Sequence, residues 1–162
     1  LPSFPPRRSS DLLPGPSSIL LAVMASGMGG QRWAFRGYLP PGAPAREAAL
    51  VDLEVASARD GAAQVFIETP YRNDAMAASA AKVLSPETVF CAAVGLSGPG
   101  ERVIRMKVAR WRTAIPALGK TPAVFLLLSA ASQKAHQKPA SPDRHDGRPP
   151  KENHGHKKRF PG

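Results

Sequence analysis

A carboxylate at the end of a buried strand is the group best placed for chemistry in this sequence. Residues 63–68, AQVFIE, form a short apolar run bounded by Gly61 and Pro70, the pattern of a strand buried on both faces. Glu68 ends that run, and Pro70 then turns the chain away. In open α/β sheets ligands sit outside the carboxyl ends of strands, so Glu68 and Thr69 are expected at a sheet crevice. There a carboxylate can accept hydrogen bonds from the hydroxyl or amino groups of a ligand. Leu96 and Ser97 hold the equivalent position after a second apolar run, TVFCAAV at 88–94. Ser17 and Ser18 follow Pro14-Gly15-Pro16 at a helix start, where the first backbone N–H groups lack partners within the helix.

Each of these residues also has a plain structural reading. Glu68 and Arg72, four apart across a turn, can form a solvated ion pair worth a few tenths of a kcal/mol. Pro14 to Ser18 can be only a linker and cap. Pro122, at the start of the last apolar run, does no harm to a strand by lacking an N–H.

Other reactive side chains are scarce. The single cysteine, Cys91, lies inside TVFCAAV, so it reads as a buried structural thiol rather than a nucleophile. One cysteine also excludes an internal disulfide and fits a reducing cytoplasm. Residues 13–131 contain no histidine; His136, His145, His154 and His156 all follow Ser132. No cysteine or carboxylate cluster completes a metal site around them, so no metal is expected and no residue stands out as a catalytic base. Arg102, Arg105, Lys107, Arg110 and Arg112 form a basic run that reads either as a solvated face or as a track for an RNA backbone.

The elements that must position these groups follow from periodicity and punctuation. A helix is expected from Ser17 or Ser18 to the glycines at 27, 29 and 30, capped by a serine hydroxyl. Strands are expected at 32–39, 63–68, 88–94, 102–108 and 121–129, and helices at 44–59 and 71–84, with a short one within VARWRTAI. The longer helix should turn Ala49, Leu50, Leu53 and Ala56 inward. This order predicts an α/β fold, a mixed sheet flanked by helices.

Composition shifts at both ends bound that domain. The chain of 162 residues carries a net charge of +10, of which +5 falls in residues 132–162. That stretch is polar, rich in proline and poor in large apolar residues, and is expected to stay disordered as a basic tail. The domain is therefore expected at 13–131. Residues 1–12, LPSFPPRRSSDL, contain an Arg-Arg pair like that of a twin-arginine leader, but Pro14-Gly15-Pro16 separates it from the apolar run. They resemble translated adapter sequence and read as a non-native or disordered leader. That apolar run, Ile19 to Ala25, is seven residues long, against the roughly 20 that a membrane span needs.

Four segments together carry a family resemblance: LPGPSSILLAVMASG at 13–27, RWAFRGYLPP at 32–41, VFIETPYR at 65–72 and KTPAVFLLL at 120–128. In this order and spacing they resemble the C-terminal domain of the tetrapyrrole methylase superfamily. The ETPYR element is similar to the branch of ribosomal RNA small subunit methyltransferase I, which methylates a cytidine ribose 2′-hydroxyl in 16S ribosomal RNA. The resemblance implies S-adenosyl-L-methionine as methyl donor, held in a cleft between two α/β domains, and an rRNA or small-ribosomal-subunit partner in the cytoplasm, with a homodimer possible. It assigns Pro16, Ser17, Glu68, Leu96, Ser97, Pro122 and Ala123 to the donor pocket. The branch usually has an acidic residue where Gly95 stands and threonine where Ser97 stands. The Gly-rich loop and Asp-Pro-Gly turn of the family's N-terminal domain do not occur in this sequence, so the chain is expected to be a fragment, inactive alone. The competing expectations are a tetrapyrrole (corrin or porphyrin) methyltransferase and a noncatalytic RNA-binding or dimerisation module.

Overall fold

The computed structural model describes residues 15–28 and 31–137, with side chains described as far as residue 133. The leader at 1–12, Gly29, Gly30 and His145, His154 and His156 lie outside the described residues. The chain runs α1 (Ser18–Ser26), β1 (Trp33–Tyr38), α2 (Ala43–Asp60), β2 (Ala63–Glu68), a single 3-10 turn (Pro70–Arg72), α3 (Asn73–Val83), β3 (Val89–Val94), β4 (Arg102–Lys107), α4 (Val108–Thr113), β5 (Ala123–Leu128) and α5 (Ala130–Gln137). The expected mixed α/β architecture is therefore present.

The five strands form one sheet in the order β1-β2-β5-β3-β4. β1 and β2 are parallel, while β5 lies antiparallel to both β2 and β3, and β4 is antiparallel to β3. β5, the last strand in sequence, thus sits at the centre. Its arrival there puts Ala123 opposite Glu68 on one side and opposite Val94 on the other. The carboxyl ends of β2 and β3 are brought level across the amino end of β5.

Alternation along the central strands divides the core between the two faces. On one face Phe66, Phe90 and Phe125 form a three-ring cluster, with ring centroids 5.8 Å apart for Phe66–Phe125, 5.9 Å for Phe90–Phe125 and 6.4 Å for Phe66–Phe90. Trp111 of α4 meets the Phe90 ring edge-on at 5.1 Å and donates its indole N–H to the Phe90 carbonyl at 3.1 Å. Leu50 and Leu53 of α2 and Met76, Ala77 and Ala80 of α3 close over this cluster. On the other face Ala22, Val23 and Met28 pack on Ala63, Val65, Cys91 and Leu126. Arg46, Leu50, Leu53 and Ser57 are the buried residues of α2, so the stripe also includes an arginine and a serine; Ala49 and Ala56 are half-buried, and Ala49 packs against this core. Arg46 is held by donating to Ser79 Oγ at 3.0 Å and to the Pro41 carbonyl at 2.9 Å.

Two local expectations need correction. Ser17 stands at the N-cap of α1, but no side-chain capping bond forms. The chain also does not lose order at Ser132: α5 runs from Ala130 to Gln137, and Ser132 is buried. The reason is a hydroxyl network. The Ser57 hydroxyl accepts from the Ser129 amide at 3.0 Å, the Ser129 and Ser132 hydroxyls lie 2.9 Å apart, and the Ser132 hydroxyl donates to the Ser57 carbonyl. The Ser129 hydroxyl also accepts from the Ser132 amide at 3.3 Å, the geometry of a helix cap. These bonds dock α5 on α2, and the boundary expected at 131 falls inside a helix. His136 lies in this helix, beyond the described side chains.

Cys91 is fully buried, and burial pushes its thiol from an ordinary 9.0 up to about 12, with nearby Arg105 acting in the opposite direction. The expected structural thiol is what the sheet contains. A thiol with a raised pKa in the folded state favours folding below its unfolded value and loses that contribution as pH rises. Cys91 is therefore expected to lower stability by about 1.4 kcal/mol per pH unit between roughly pH 9 and 12. A Cys91→Ala variant, followed by urea melts across that window, should lack this part of the slope. Equal slopes in the two proteins would mean that the thiol ionises as readily folded as unfolded.

Candidate functional site

Glu68 is the ionisable group of the sheet end that the fold buries most completely. Its side chain is 0% exposed and that of Arg72 is 25% exposed, so the pair is not the solvated one expected from i,i+4 spacing. The 3-10 turn Pro70–Arg72 carries the guanidinium back over the strand end. Four donors then converge on one carboxylate oxygen: Glu68 Oε1 accepts from the Thr69 amide at 2.6 Å, the Thr69 hydroxyl at 3.1 Å, Arg72 Nε at 3.0 Å and Arg72 Nη2 at 2.7 Å. The other oxygen, Oε2, is buried and has no partner among the described residues. A buried acceptor left unpaired costs free energy, and such groups in a native fold call for an explanation, often a ligand or water.

A cavity of about 460 Å³ lies at this end of the sheet, and Glu68 lines it. Leu96, Pro122 and Ala123 line it too, so four of the seven expected site residues meet around one space. Pro16, Ser17 and Ser97 are not among its lining residues. Ser18 represents the start of α1 there, and Ser97 instead lines a neighbouring apolar cavity of about 330 Å³ with Leu21, Met24, Ala25 and Glu101. Leu96 borders both spaces. Tyr38, Ile67 and Gly95 also line the larger cavity and were not anticipated. Tyr38 ends β1, so the rule that pointed to Glu68, a residue at a strand's carboxyl end, could have found it.

The loop after β3 is tightly bound to itself. The Gly95 amide donates to the Pro122 carbonyl at 2.9 Å, tying the loop to the start of β5, and the Gly98 amide donates to the Gly95 carbonyl at 2.9 Å. The Ser97 amide donates to Glu101 Oε2 at 2.7 Å. This turn places Ser97 at φ 64°, a left-handed conformation uncommon for a residue with a side chain. Gly95 has φ +63°, and a Cβ there would lie 3.1 Å from Thr121 Cγ2, which accounts for glycine at this position. Gly95→Ala is expected to cost about 1–2 kcal/mol from the backbone conformation alone. Thermal unfolding of the variant checks this; an unchanged midpoint would show that the loop has an alternative conformation.

The approach to β5 is pinned by α3. Asn73 Nδ2 donates to the Thr121 carbonyl at 2.7 Å and to the Gly119 carbonyl at 3.1 Å, and Asp74 Oδ1 accepts from the Leu118 amide at 2.8 Å. These bonds set where Pro122 and Ala123 enter the cavity wall.

The basic run is largely engaged elsewhere. Arg102 donates to the Ala117 carbonyl at 3.1 Å, Lys107 pairs with Glu87 at 2.7 Å, and Arg112 donates to the carbonyls of Ala81 and Leu84, both at 2.7 Å. That leaves Arg105 and Arg110 of the five. Among the described residues no group of three His, Cys, Asp or Glu side chains is arranged to hold a metal, and no helix is long and apolar enough to cross a membrane.

No known protein-family profile matches the chain, and no curated protein does. Among solved structures, it is similar to the methyltransferase CobJ, with 22% identity and a TM-score of 0.49 over 74% of this chain and 51% of that one. It is also similar to the cobalamin biosynthetic enzyme cobalt precorrin-4 methyltransferase, CbiF, with 16% identity and a TM-score of 0.47 over 74% of this chain and 52% of that one. The chain spans about half the length of each of these two methyltransferases.

Proposed function

We propose that the cavity at Glu68 is the methyl-donor pocket of an S-adenosyl-L-methionine-dependent methyltransferase of the tetrapyrrole methylase type, acting in the cytoplasm. The observation that carries this reading is a cavity of about 460 Å³ lined by Glu68, whose buried Oε2 has no partner among the described residues. The donor's ribose hydroxyls or amino group can satisfy that oxygen, while Ile67, Leu96 and Val124 offer apolar walls to its purine. These residues fit the group that the resemblance implies. When bound, S-adenosyl-L-methionine supplies an already activated methyl carbon, so the protein's task is to orient it and exclude water. Arg72 and Thr69 hold the Glu68 carboxylate in one orientation, and the Gly95–Pro122 bond holds the Leu96 wall against β5.

For the acceptor we take the 2′-hydroxyl of a cytidine in 16S ribosomal RNA, on the resemblance of the ETPYR element. A tetrapyrrole is the second reading, favoured by the bonds that tether Arg102, Lys107 and Arg112 to neighbouring carbonyls and to Glu87, which restrain three of the five cations that could follow an RNA backbone. No residue lining the cavity is a ready base for a hydroxyl acceptor.

Calorimetry of the full chain with S-adenosyl-L-methionine tests the donor assignment. With the lining drawn from one sheet end, the expected dissociation constant is about 0.1–1 mM, roughly 4–5.5 kcal/mol. No binding at several millimolar donor would sink the assignment. Co-sedimentation with small ribosomal subunits that survives physiological salt supports the RNA acceptor; binding that vanishes with salt, as nonspecific attraction does, favours the second reading.

A further inference from the structure

Tyr38 stands where it does because β1 carries one extra residue. Trp33 pairs with Ala63 and Phe35 with Val65, but Tyr38 pairs with Ile67, so three steps along β1 match two along β2. Gly37, at φ +70°, falls within this irregularity, in the left-handed region that glycine enters without strain. An inserted residue of this kind bends a strand and re-aims the side chain that follows it. In an unbroken strand Tyr38 would face away from Phe35. The insertion returns it to the side of Val65 and Ile67.

That side carries a level row across four strands. Tyr38 pairs with Ile67, Ile67 with Val124, and Val124 with Ala93. All four line the cavity of about 460 Å³. Ile67, Val124 and Ala93 belong to the apolar cluster on the α1 face of the sheet. They form an apolar floor that ends, at the edge strand, in an aromatic residue. Tyr38 is 63% exposed, whereas Phe66, Phe90 and Phe125 are fully buried. It contributes little to the core, so its ring is open to a ligand in the cavity. An aromatic face beside an apolar floor suits a planar ring, which gains from stacking as well as from burial.

Resting on the donor-pocket reading, we propose that Tyr38 is the purine-stacking residue of this site: the adenine of the donor stacks on the Tyr38 ring, over the floor of Ile67, Val124 and Ala93. Stacking uses the ring face and not the phenol hydroxyl, so phenylalanine serves equally well at this position.

Tyr38 and Tyr71 are the two tyrosines of the chain, so ring-labelled tyrosine gives two sets of signals, assigned with Tyr71→Phe. Tyr71 is exposed and is not among the lining residues, which makes it the reference. Titrating the labelled full chain with S-adenosyl-L-methionine is expected to move the Tyr38 ring signals upfield through the adenine ring current and to give Overhauser contacts between the two rings, with Tyr71 unmoved. Read at the amides of Gly95, Leu96 and Ala123, Tyr38→Ala is expected to raise the dissociation constant about tenfold or more, and Tyr38→Phe to leave it within about threefold. Saturable amide shifts with an unmoved Tyr38 ring overturn the stacking and leave the donor pocket standing, as does a Tyr38→Ala variant that binds like the unsubstituted chain. A Tyr38→Phe variant as weak as Tyr38→Ala assigns the effect to the hydroxyl and overturns the stacking too. Absence of amide shifts in the unsubstituted chain overturns the donor pocket and the stacking together.

Discussion

Glu68→Ala is expected to raise the dissociation constant for S-adenosyl-L-methionine about tenfold to a hundredfold, because a hydrogen bond to a charged group contributes roughly 1.5–3 kcal/mol. The same substitution acts on folding. It removes the acceptor shared by Thr69 and Arg72, and the burial of Glu68 makes this a larger loss than that of a solvated pair. Arg72 keeps a quarter of its side chain exposed and can turn to water, which limits the destabilisation to about 1–2 kcal/mol. Titrating the variant at a temperature where it remains folded separates the two effects. A variant that is destabilised yet binds the donor as the unsubstituted chain does would leave Glu68 as a structural residue only.

Phe125→Ala is expected to cost about 3–5 kcal/mol of stability, the range for truncating a large buried side chain where the surroundings collapse incompletely. Phe125 is 0% exposed on the central strand, opposite Phe66 and stacked with both Phe66 and Phe90. Domains of this size have total stabilities of roughly 5–15 kcal/mol, so the loss is a large fraction of the whole. It also reaches the site, since β5 is the strand that holds the ends of β2 and β3 level. Urea unfolding measures the effect; a loss under about 1 kcal/mol would mean that the three aromatic rings are not packed as described.

The strands were legible because their burial is written locally. AQVFIE, TVFCAAV and TPAVFLLLS are apolar runs closed by Gly, Pro or Ser, and each contains a strand. The order β1-β2-β5-β3-β4 was not, because it depends on contacts between residues far apart in the chain. Without the placement of β5 between β2 and β3, nothing local says that Glu68 and Leu96 meet across Ala123. Pairing of Glu68 with Arg72 followed from their spacing, but its burial did not. That comes from the 3-10 turn and from the sheet end around it. α5 escaped notice because the composition of 132–162 as a whole is that of a disordered tail, whereas the helix start rests on two serines, Ser129 and Ser132, and their bonds to Ser57. Ser97 was expected in the donor cavity by analogy with the family, and its left-handed turn aims the loop so that it borders the neighbouring space.

In the proposed site the donor sits at the common end of β2, β5 and β3, in the cavity that Glu68 lines. Titrating isotope-labelled full chain with S-adenosyl-L-methionine and mapping the shifted backbone amides tests it most directly. Saturable shifts are expected to concentrate at Glu68, Thr69, Gly95, Leu96 and Ala123, with Phe66, Phe90 and Phe125 undisturbed. Saturable shifts confined to any other surface, or none at these residues at donor concentrations of several millimolar, would contradict it.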